Sequence, residues 1–415
     1  MRTGLLALAA GALIVALAGC TSAGGDADAP TPRAGASGSV TPSGVSTPST
    51  SPSAAASTAP PATPSPTPTS TPPAGPLAGL SLEQRVGQLF MVGSPATSAT
   101  PATIDDVANL HIGGVFLSGR STAGVQATAA AVRRFTAADR DGVPLLVSTD
   151  QEGGEVQVLR GPGFSDIPSA LAQSRLATAT LRADAAAWAG QLRAAGVDMD
   201  LGPVADVVAS AQQAAANPPI GRLDREYGYG APSALAKAGA FAGGMIRGGV
   251  VPVAKHFPGL GAVTGNTDFQ AGVTDTSTTA TSPSVSVYAT LIRNGLPAVM
   301  VGTAEYTRIA PGVPAAFSPA VVAKLLRGQL GFTGVVMTDD VSAAKQVAAW
   351  TPEQRAVLAI QAGVDIVLVS ASPQLAPQMI AAVVAKARAE PAFRAQVDAA
   401  ATRVLALKQR YRAAP

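Results

Sequence analysis

Between Leu77 and the C-terminus, short apolar runs alternate with longer Ala-rich segments of helical periodicity. Strands that are separated by helices form parallel sheets, because each helix returns the chain to the same edge of the sheet. Eight units in roughly 340 residues predict an α/β fold with a single (β/α)8 barrel of the TIM type over residues 77–415, and a doubly wound open sheet is the competing fold. The eight runs are Val86–Val92, Ile112–Leu117, Val143–Ser148, Asp198–Val207, Val251–Lys255, Ala298–Gly302, Gly334–Thr338 and Asp365–Ser370.

The segments between the runs are rich in good helix formers. The runs themselves are continuously apolar, as in Val143–Val147, which is typical of strands buried on both faces. The predicted helices are Ala123–Ala138, Ala179–Ala195, Ser233–Ile246, Pro319–Leu330, Pro352–Ala362 and Pro373–Ala389.

Polar and acidic residues follow the C-terminal ends of several runs. In a barrel these ends form the face that carries the active site, so we expect the side chains to converge there. No run is followed by G-x-G-x-x-G or by G-x-x-x-x-G-K-[ST], and the sequence predicts no nucleotide site. The residues are Asp150, Asp206, Lys255 with His256, Glu305, and Asp339 with Asp340.

The first twenty residues have the pattern of an export signal. Arg2 precedes an apolar run from Leu5 to Leu17, and Leu17-Ala18-Gly19-Cys20 resembles a bacterial lipobox, in which the cysteine is acylated. We expect residues 1–19 to be removed as a lipoprotein signal peptide. Cys20 would then anchor the mature protein to the cell membrane by lipid, on its extracytoplasmic side and without spanning it.

Residues 20–76 consist mainly of Ser, Thr, Pro, Ala and Gly, with no charged residue between Arg33 and Glu83. A segment of this composition cannot bury enough apolar surface to offset its chain entropy. We therefore expect a disordered linker between the lipidated Cys20 and a barrel domain at 77–415.

Composition excludes several kinds of function. The 29 Lys and Arg against 26 Asp and Glu give a formal net charge of +3, and no basic run gathers this excess, so nucleic acid is not an expected partner. One cysteine excludes an intramolecular disulfide, and two distant histidines leave little for a metal site. We expect no metal or cofactor, and catalysis by carboxylates. His111, before the second run, is expected to be structural.

The segment from Gly334 to Ser342, GVVMTDDVS, resembles the nucleophile signature of glycoside hydrolase family 3. In that family the Asp after the Ser or Thr is the nucleophile, which implies this role for Asp339 and not for Asp340. Other segments resemble family motifs in the same order, and the resemblance covers about residues 80 to 410. They are DQEGG at 150–154, GPVADV at 202–207, IG through REYG at 220–228 and KHFPG at 255–259.

The resemblance also implies a set of sugar ligands. Asp150, Arg225, Lys255 and His256 match positions that hold sugar hydroxyls in the family. The third-strand motif usually continues to an Arg, but Val158 stands at that place and Arg160 follows two residues later. Arg160 is therefore a further candidate for sugar binding.

The chain stops soon after its eighth run, and in this organisation it resembles the single-domain branch of the family. That branch consists chiefly of β-N-acetylglucosaminidases acting on cell-wall sugars. That branch takes its acid/base from an Asp-His pair in the loop after the fifth strand. Here the loop reads GLGAVTGNTDFQ over residues 259–270, with Asp268 at the place of the Asp and Gln270 at that of the His. Asp268 is the expected acid/base, and it would need a pKa raised by burial. Glu305 and Asp275 are alternatives for the role.

The expected function is that of a retaining glycoside hydrolase. It would remove terminal β-linked N-acetylglucosamine from peptidoglycan fragments through a covalent intermediate on Asp339. The alternatives are a β-glycosidase or transglycosidase for another sugar, or a sugar-binding lipoprotein that has lost catalysis. The expected partners are the carbohydrate and, through the lipid anchor, the membrane, and the protein is expected to be a monomer.

Overall fold

Eight parallel strands form a barrel in the computed structural model, which describes residues 75–412. Along the sheet, the strands lie in the reverse of their chain order from the seventh to the first, and the eighth follows the first. A parallel bridge between Met337 and Ile366 links the seventh strand back to the eighth. This ring of strands confirms the predicted (β/α)8 barrel. The strands are β1 Phe90–Pro95, β2 Gly114–Ser118, β3 Leu146–Thr149, β4 Met199–Asp200, β5 Val251–Phe257, β6 Ala298–Val301, β7 Val335–Thr338 and β8 Val367–Val369.

Helices follow the strands around the outside. Two of them, Thr178–Ala194 and Ala231–Arg247, approach closely because Gly244 faces Ala185. A Cβ on Gly244 would lie only 2.5 Å from that of Ala185. The helices are α1 Leu82–Gly87, α2 Pro101–Leu110, α3 Gly124–Thr136, α4 Ala170–Gln173, α5 Thr178–Ala194, α6 Ala211–Ala216, α7 Ala231–Arg247, α8 Pro283–Arg293, a π-helix at Ala320–Gln329, α9 Pro352–Ala362, α10 Ala376–Ala389 and α11 Pro391–Arg412.

Short elements decorate the loops after the barrel strands. A hairpin follows β3, a three-stranded sheet joins the loops after β5 and β6, and single 3-10 turns occupy other loops. The hairpin pairs Gln151–Gly153 with Val156–Gln157, the small sheet contains Thr274–Asp275, Glu305–Tyr306 and Ala310–Pro314, and the 3-10 turns are Gly75–Leu77, Gly221–Leu223, Ala315–Phe317, Lys345–Val347 and Pro373–Leu375.

Side chains on successive strand positions enter two different apolar layers, one inside the barrel and one under the helices. In β1, Met91 belongs to the inner layer, whereas Phe90 and Val92 belong to the outer one. Both layers are apolar, and this explains why the runs are continuously hydrophobic. Helix α11 contributes Val404 and Leu407 to the inner layer.

The closure between β7 and β8 is reinforced by the buried carboxylate of Asp365. It accepts the backbone N–H of Val336 at 2.8 Å and the guanidinium of Arg327 at 2.6 Å. Its second oxygen accepts Nε of Arg403, on α11, at 2.8 Å. One carboxylate thus joins β7, the π-helix and the last helix. Burial raises the pKa of Asp365, and the charges of Arg327 and Arg403 compensate this effect only in part.

Two predicted runs differ more than the others from the strands observed. The predicted run Val86–Val92 contains the end of α1, and β1 begins only at Phe90. The reason is a capping box, in which Ser81 and Gln84 each accept the other's backbone N–H and start a helix. In the predicted run Asp198–Val207, only Met199–Asp200 is a regular strand, since Pro203 has no N–H to continue the ladder.

The predicted signal peptide 1–19, the lipidation site Cys20 and the linker up to residue 74 lie outside the described residues. The predicted boundary at residue 77 falls within the turn Gly75–Leu77. Over residues 75–412, no helix has both the length and the apolar character needed to cross a membrane.

Candidate active site

A cavity of about 710 Å³ opens at the C-terminal ends of the barrel strands. Its apolar floor comes from the inner layer of the barrel, with Phe116, Leu201, Met300 and Leu368. Of the polar residues expected to converge from the strand ends, Asp150, Lys255, His256, Asp339 and Asp340 line this cavity. The polar lining includes Asp150, Arg225, Lys255, His256, Asn266, Thr267, Asp268, Asp339, Asp340, Lys345 and Ser370.

Four charged side chains form a network on one wall of the cavity. Glu152 receives two hydrogen bonds from Arg225, at 2.8 and 2.7 Å, and an ion pair from Lys255 at 2.6 Å. Lys255 also donates to Asp150 at 2.6 Å. The segments after β3 and β4 and the end of β5 are thus fixed relative to one another, and Asp150 is held at the cavity surface.

The charges in this network stabilise one another strongly. Burial alone would raise the pKa of Glu152, but Arg225 and Lys255 lower it to about 2. Burial would likewise lower the pKa of Lys255, whereas Asp150 and Glu152 hold it above its ordinary value. Glu152 and Lys255 therefore remain charged near neutral pH, and Lys255, which lines the cavity, can hydrogen-bond sugar hydroxyls that enter it.

His256 is oriented by a buried carboxylate beneath the cavity. Its Nδ1 lies 2.8 Å from Oδ2 of Asp206, and the other oxygen of Asp206 accepts the backbone N–H groups of His256 and Leu260. A carboxylate only accepts hydrogen bonds, so Nδ1 carries the proton and Nε2 is left for the cavity. Asp206 therefore fixes both the tautomer and the position of His256.

The neighbouring Asp339 and Asp340 have different surroundings. Asp340 accepts hydrogen bonds from Ser342, Ala343, Ser370 and the N–H of residue 371, so it ties the loop after β7 to that after β8. The Asp339 carboxylate accepts only the N–H of Asp340, at 2.8 Å, within the described part of the chain. Its place on the cavity wall leaves it available to a substrate, as its predicted role as nucleophile requires.

Asp268 reaches the same cavity from the loop after β5. Although the residue is exposed as a whole, its carboxyl group lies within electrostatic reach of Asp339, His256 and Arg225. Burial of the group, followed by the negative charge of Asp339, raises its pKa from 3.8 to about 6. The structure thus meets the condition that the sequence set for an acid/base without a His partner.

The other candidates for the acid/base role lie outside the cavity lining. The carboxylate of Asp275 is buried and accepts four hydrogen bonds from Ser277 and Thr278 in its own turn. Glu305 lies in the small sheet, paired with Thr274 and Pro314. Gln270, at the position of the missing His, accepts the backbone N–H of Asn266 within its own loop.

Arg160 is not brought into the cavity, so its placement does not support the expectation that it binds sugar. Its guanidinium donates to the Gly154 carbonyl at 2.7 Å and to the exposed Asp166 at 3.1 Å. His111 lies at the opposite end of the barrel, before β2, where its Nδ1 contacts Asp141 at 2.8 Å. This placement agrees with a structural role for His111.

Two further residues of the site were not identified from the sequence. Glu152 is the centre of the charge network. The sequence could have indicated it through its spacing of two residues from Asp150, because that spacing places both side chains on one face of an extended segment. Phe269 also lines the cavity, and 78% of its surface is exposed. A single aromatic residue among the small residues of the loop was the signal for it.

Four carboxylates line this cavity, and two of them, those of Asp339 and Asp268, are not held by other side chains among the described residues. A pair of carboxyl groups, one with a raised pKa such as that of Asp268, is what glycoside hydrolases use. No group of three His, Cys, Asp or Glu residues within 75–412 is arranged to hold a metal ion. The cavity lies at the end of the barrel where enzymes of this fold carry their active sites. Fold and site together define a carbohydrate-cleaving barrel enzyme.

Comparison with known proteins gives the family. Residues 81–407 match the description "Glycosyl hydrolase family 3 N terminal domain". The chain therefore belongs to glycosyl hydrolase family 3, and it is an enzyme of the β-N-acetylhexosaminidase class, which confirms the class predicted from the sequence.

Individual relatives agree with this assignment. A β-N-acetylhexosaminidase structure from Beutenbergia cavernae DSM 12333 is 61% identical, with a TM-score of 0.79 over 80% of this chain and 99% of that one. A β-hexosaminidase of Stenotrophomonas maltophilia K279a is 32% identical over 311 residues, 71% of this chain and 87% of its own. The β-hexosaminidase LpqI of Mycobacterium tuberculosis is 32% identical over 296 residues, 70% of this chain and 73% of its own.

Asp200 is a fully buried carboxyl group beneath the charge network. Its Oδ1 accepts the N–H of Gln151 at 2.9 Å, while its Oδ2 has no hydrogen-bond partner in the described structure. Burial raises the pKa of Asp200 from 3.8 to about 8. The folded protein therefore keeps a proton here that the unfolded chain has lost above about pH 4, and stability falls as the pH rises through this interval.

We predict that Asp200→Asn flattens this pH dependence, because asparagine has the shape of the protonated acid and cannot ionise. Between about pH 5 and 7, the free energy of unfolding of the wild type should fall as the pH rises. The slope for Asp200→Asn should be less steep, by up to about 1.4 kcal/mol per pH unit. Urea unfolding at three pH values measures the slopes. Asp166→Asn, at a side chain that is 90% exposed, is the control and should leave the slope unchanged. Parallel curves for wild type and Asp200→Asn would contradict the prediction.

Proposed function

We propose that this enzyme removes terminal β-linked N-acetylglucosamine from peptidoglycan fragments by a double displacement that retains configuration. The observation that carries the proposal is the meeting of Asp339 and Asp268 in one cavity, where burial and the charge of Asp339 raise the pKa of Asp268. Adjacent Asp340 is occupied by the hydrogen bonds that join two loops, which supports the assignment of the nucleophile to Asp339.

In the first step, the Asp339 carboxylate attacks the anomeric carbon and the bond to the leaving-group oxygen breaks. The Asp268 proton passes to that oxygen, so the leaving group departs neutral. The pKa of Asp268, raised to about 6, keeps a useful fraction of the group protonated near neutral pH.

In the second step, the Asp268 carboxylate takes a proton from water. The water oxygen attacks the anomeric carbon, and the bond to Asp339 breaks. The sugar leaves with its original configuration, and both carboxyl groups return to their starting states. Asp268 thus serves first as acid and then as base.

The charge network supplies the sugar-binding wall in this proposal. Asp150, Arg225 and Lys255 line the cavity. Glu152 holds Arg225 and Lys255, and Lys255 in turn holds Asp150. His256 is held by Asp206. Fixed polar groups of this kind reject sugars that lack the matching hydroxyls, because an unmet buried polar group costs about 1–3 kcal/mol.

The choice of N-acetylglucosamine rests on the relatives, whose names give β-hexosaminidase and β-N-acetylhexosaminidase activity. The choice of cell-wall fragments rests on the sequence. An export signal ending at Cys20 and a Pro- and Thr-rich linker would hold the barrel outside the cytoplasmic membrane, next to the wall.

For the nucleophile, we predict that Asp339→Asn lowers the rate on an aryl β-N-acetylglucosaminide by more than about a thousandfold while sugar affinity stays nearly unchanged. The paired aryl β-glucoside should be cleaved poorly by the wild type. With a slow fluoro-sugar substrate, mass spectrometry should find the sugar attached to residue 339. Sugar binding without any adduct would contradict the enzymatic proposal and favour a binding protein.

For the acid/base, we predict that Asp268→Ala lowers kcat/KM by about 10²–10³ for substrates with poor leaving groups, and far less for activated aryl glycosides, which leave without a proton. In the wild type, kcat/KM should fall as the pH rises above about 6, as the Asp268 proton is lost. Glu305→Gln is the matched control, because it alters a rival carboxylate outside the cavity. A selective loss in that variant would transfer the role to Glu305.

For the membrane anchor, we propose acylation of Cys20, based on the lipobox-like sequence. Cells fed a labelled fatty acid should incorporate it into the wild-type protein, and Cys20→Ala should abolish the label and release the protein from membranes. A labelled Cys20→Ala protein would be incompatible with this site.

A further inference from the structure

The loop that carries Asp268 is fastened to the loop that follows the proposed nucleophile. The side chain of Gln346, only 4% exposed, forms both possible hydrogen bonds with the backbone of Val273. Its Oε1 accepts the Val273 N–H at 2.8 Å, and its Nε2 donates to the Val273 carbonyl at 3.2 Å. Gln346 thus bridges two segments that are 73 residues apart in sequence.

The backbone of the turn that contains Gln346 also contacts Asp268 and the residue before it. The N–H of Gln346 donates to the carbonyl of Thr267 at 3.0 Å, and that of Lys345 donates to the carbonyl of Asp268 at 3.2 Å. The turn Lys345–Val347 begins six residues after Asp339. The nucleophile and the acid are therefore held by one continuous set of contacts.

The acid loop extends from residue 259 to Val273, just before the strand Thr274–Asp275, and its first half is anchored elsewhere. Asn217 donates to the carbonyls of Leu260 and Val263, and Gln213 donates to that of Gly261. Between residues 75 and 412, no hydrogen bond reaches the Asp268 carboxyl group itself. Its position is consequently set through the backbone. Within the loop, Oδ1 of Asn266 accepts the Asp268 N–H at 2.9 Å, and the side chain of Gln346 attaches the second half of the loop to another segment.

We propose that Gln346 is a positioning residue, which holds the Asp268 carboxyl group beside Asp339 and so performs the orienting task that no histidine performs in this loop. The inference rests on the proposed acid/base role of Asp268. Release of the loop would move Asp268 away from the protein atoms and from the Asp339 charge that raise its pKa. Proton donation would then weaken, while the nucleophile and the sugar-binding wall stay in place.

The test compares wild type with Gln346→Ala on two substrates of the same sugar, one with a poor and one with an activated leaving group. We expect kcat/KM to fall about 10- to 100-fold on the poor leaving group, because a displacement of about 1 Å has effects of this size. The loss on the activated substrate should stay below about threefold. The upper limb of the pH profile should move to lower pH, toward the ordinary pKa of an aspartate.

Two further variants separate positioning from folding. Gln346→Glu is nearly isosteric, keeps the acceptor for the Val273 N–H and loses the donor, so it should show a smaller selective loss even if Gln346→Ala fails to fold. Gln191→Ala is the matched control, since Gln191 makes two hydrogen bonds to Ser165 in another loop, outside the cavity. It should affect neither the leaving-group selectivity nor the pH profile.

Equal losses on both substrates, or an unchanged pH profile, would overturn the role of Gln346 and leave it a structural residue. The Asp268→Ala variant distinguishes this failure from failure of the proposed function. If Asp268→Ala is selective and the Gln346 variants are not, only the positioning role is wrong. If Asp268→Ala is itself unselective, the acid/base assignment and the inference fail together.

Discussion

The buried carboxylate of Glu152 is the interaction on which the rest of the site depends. Arg225 reaches it from the loop after β4 and Lys255 from the end of β5, with all contacts between 2.6 and 2.8 Å. A buried carboxylate is costly unless charged partners compensate it, so the three segments are stabilised only when they meet. Loss of Glu152 would leave Arg225 without its carboxylate partner and Lys255 with Asp150 alone, so the repulsion between the two buried cations would be less compensated.

The same principle separates two adjacent aspartates at the end of β7. Asp340 is used by the fold, because its oxygens satisfy N–H and O–H groups in two loops. Asp339, one residue earlier, projects into the cavity and is left for chemistry. Hydrogen bonds that hold one carboxylate thus provide the rigid support on which its neighbour can act.

In the proposed mechanism, the acid/base has a raised pKa without a histidine partner. Burial and the charge of Asp339 raise the pKa of Asp268, so its position in space replaces a dedicated second side chain. That position is maintained by backbone contacts and by Gln346, which lies outside the family motifs quoted from the sequence. In this proposal, proton donation therefore depends on how two loops pack together.

The sequence by itself determined the fold and the end of the barrel at which the site lies. Alternating apolar runs and helical segments are local patterns, and a helix such as Pro352–Ala362 has the bounds that its own residues predict. Polar residues after the strands also marked the correct face, because parallel strands bring their ends together whatever the loops do. The first strand was misplaced since a capping box, also local, outweighed the apolar run.

Only the tertiary structure decided which polar groups act together. It placed Glu152 between two cations, left Arg160 outside the cavity and brought Gln346 to Val273. These outcomes depend on contacts between segments far apart in the chain, such as the 73 residues that separate Glu152 from Arg225. Periodicity and spacing record the path of one segment, whereas burial, charge compensation and pKa depend on what a different segment brings next to it.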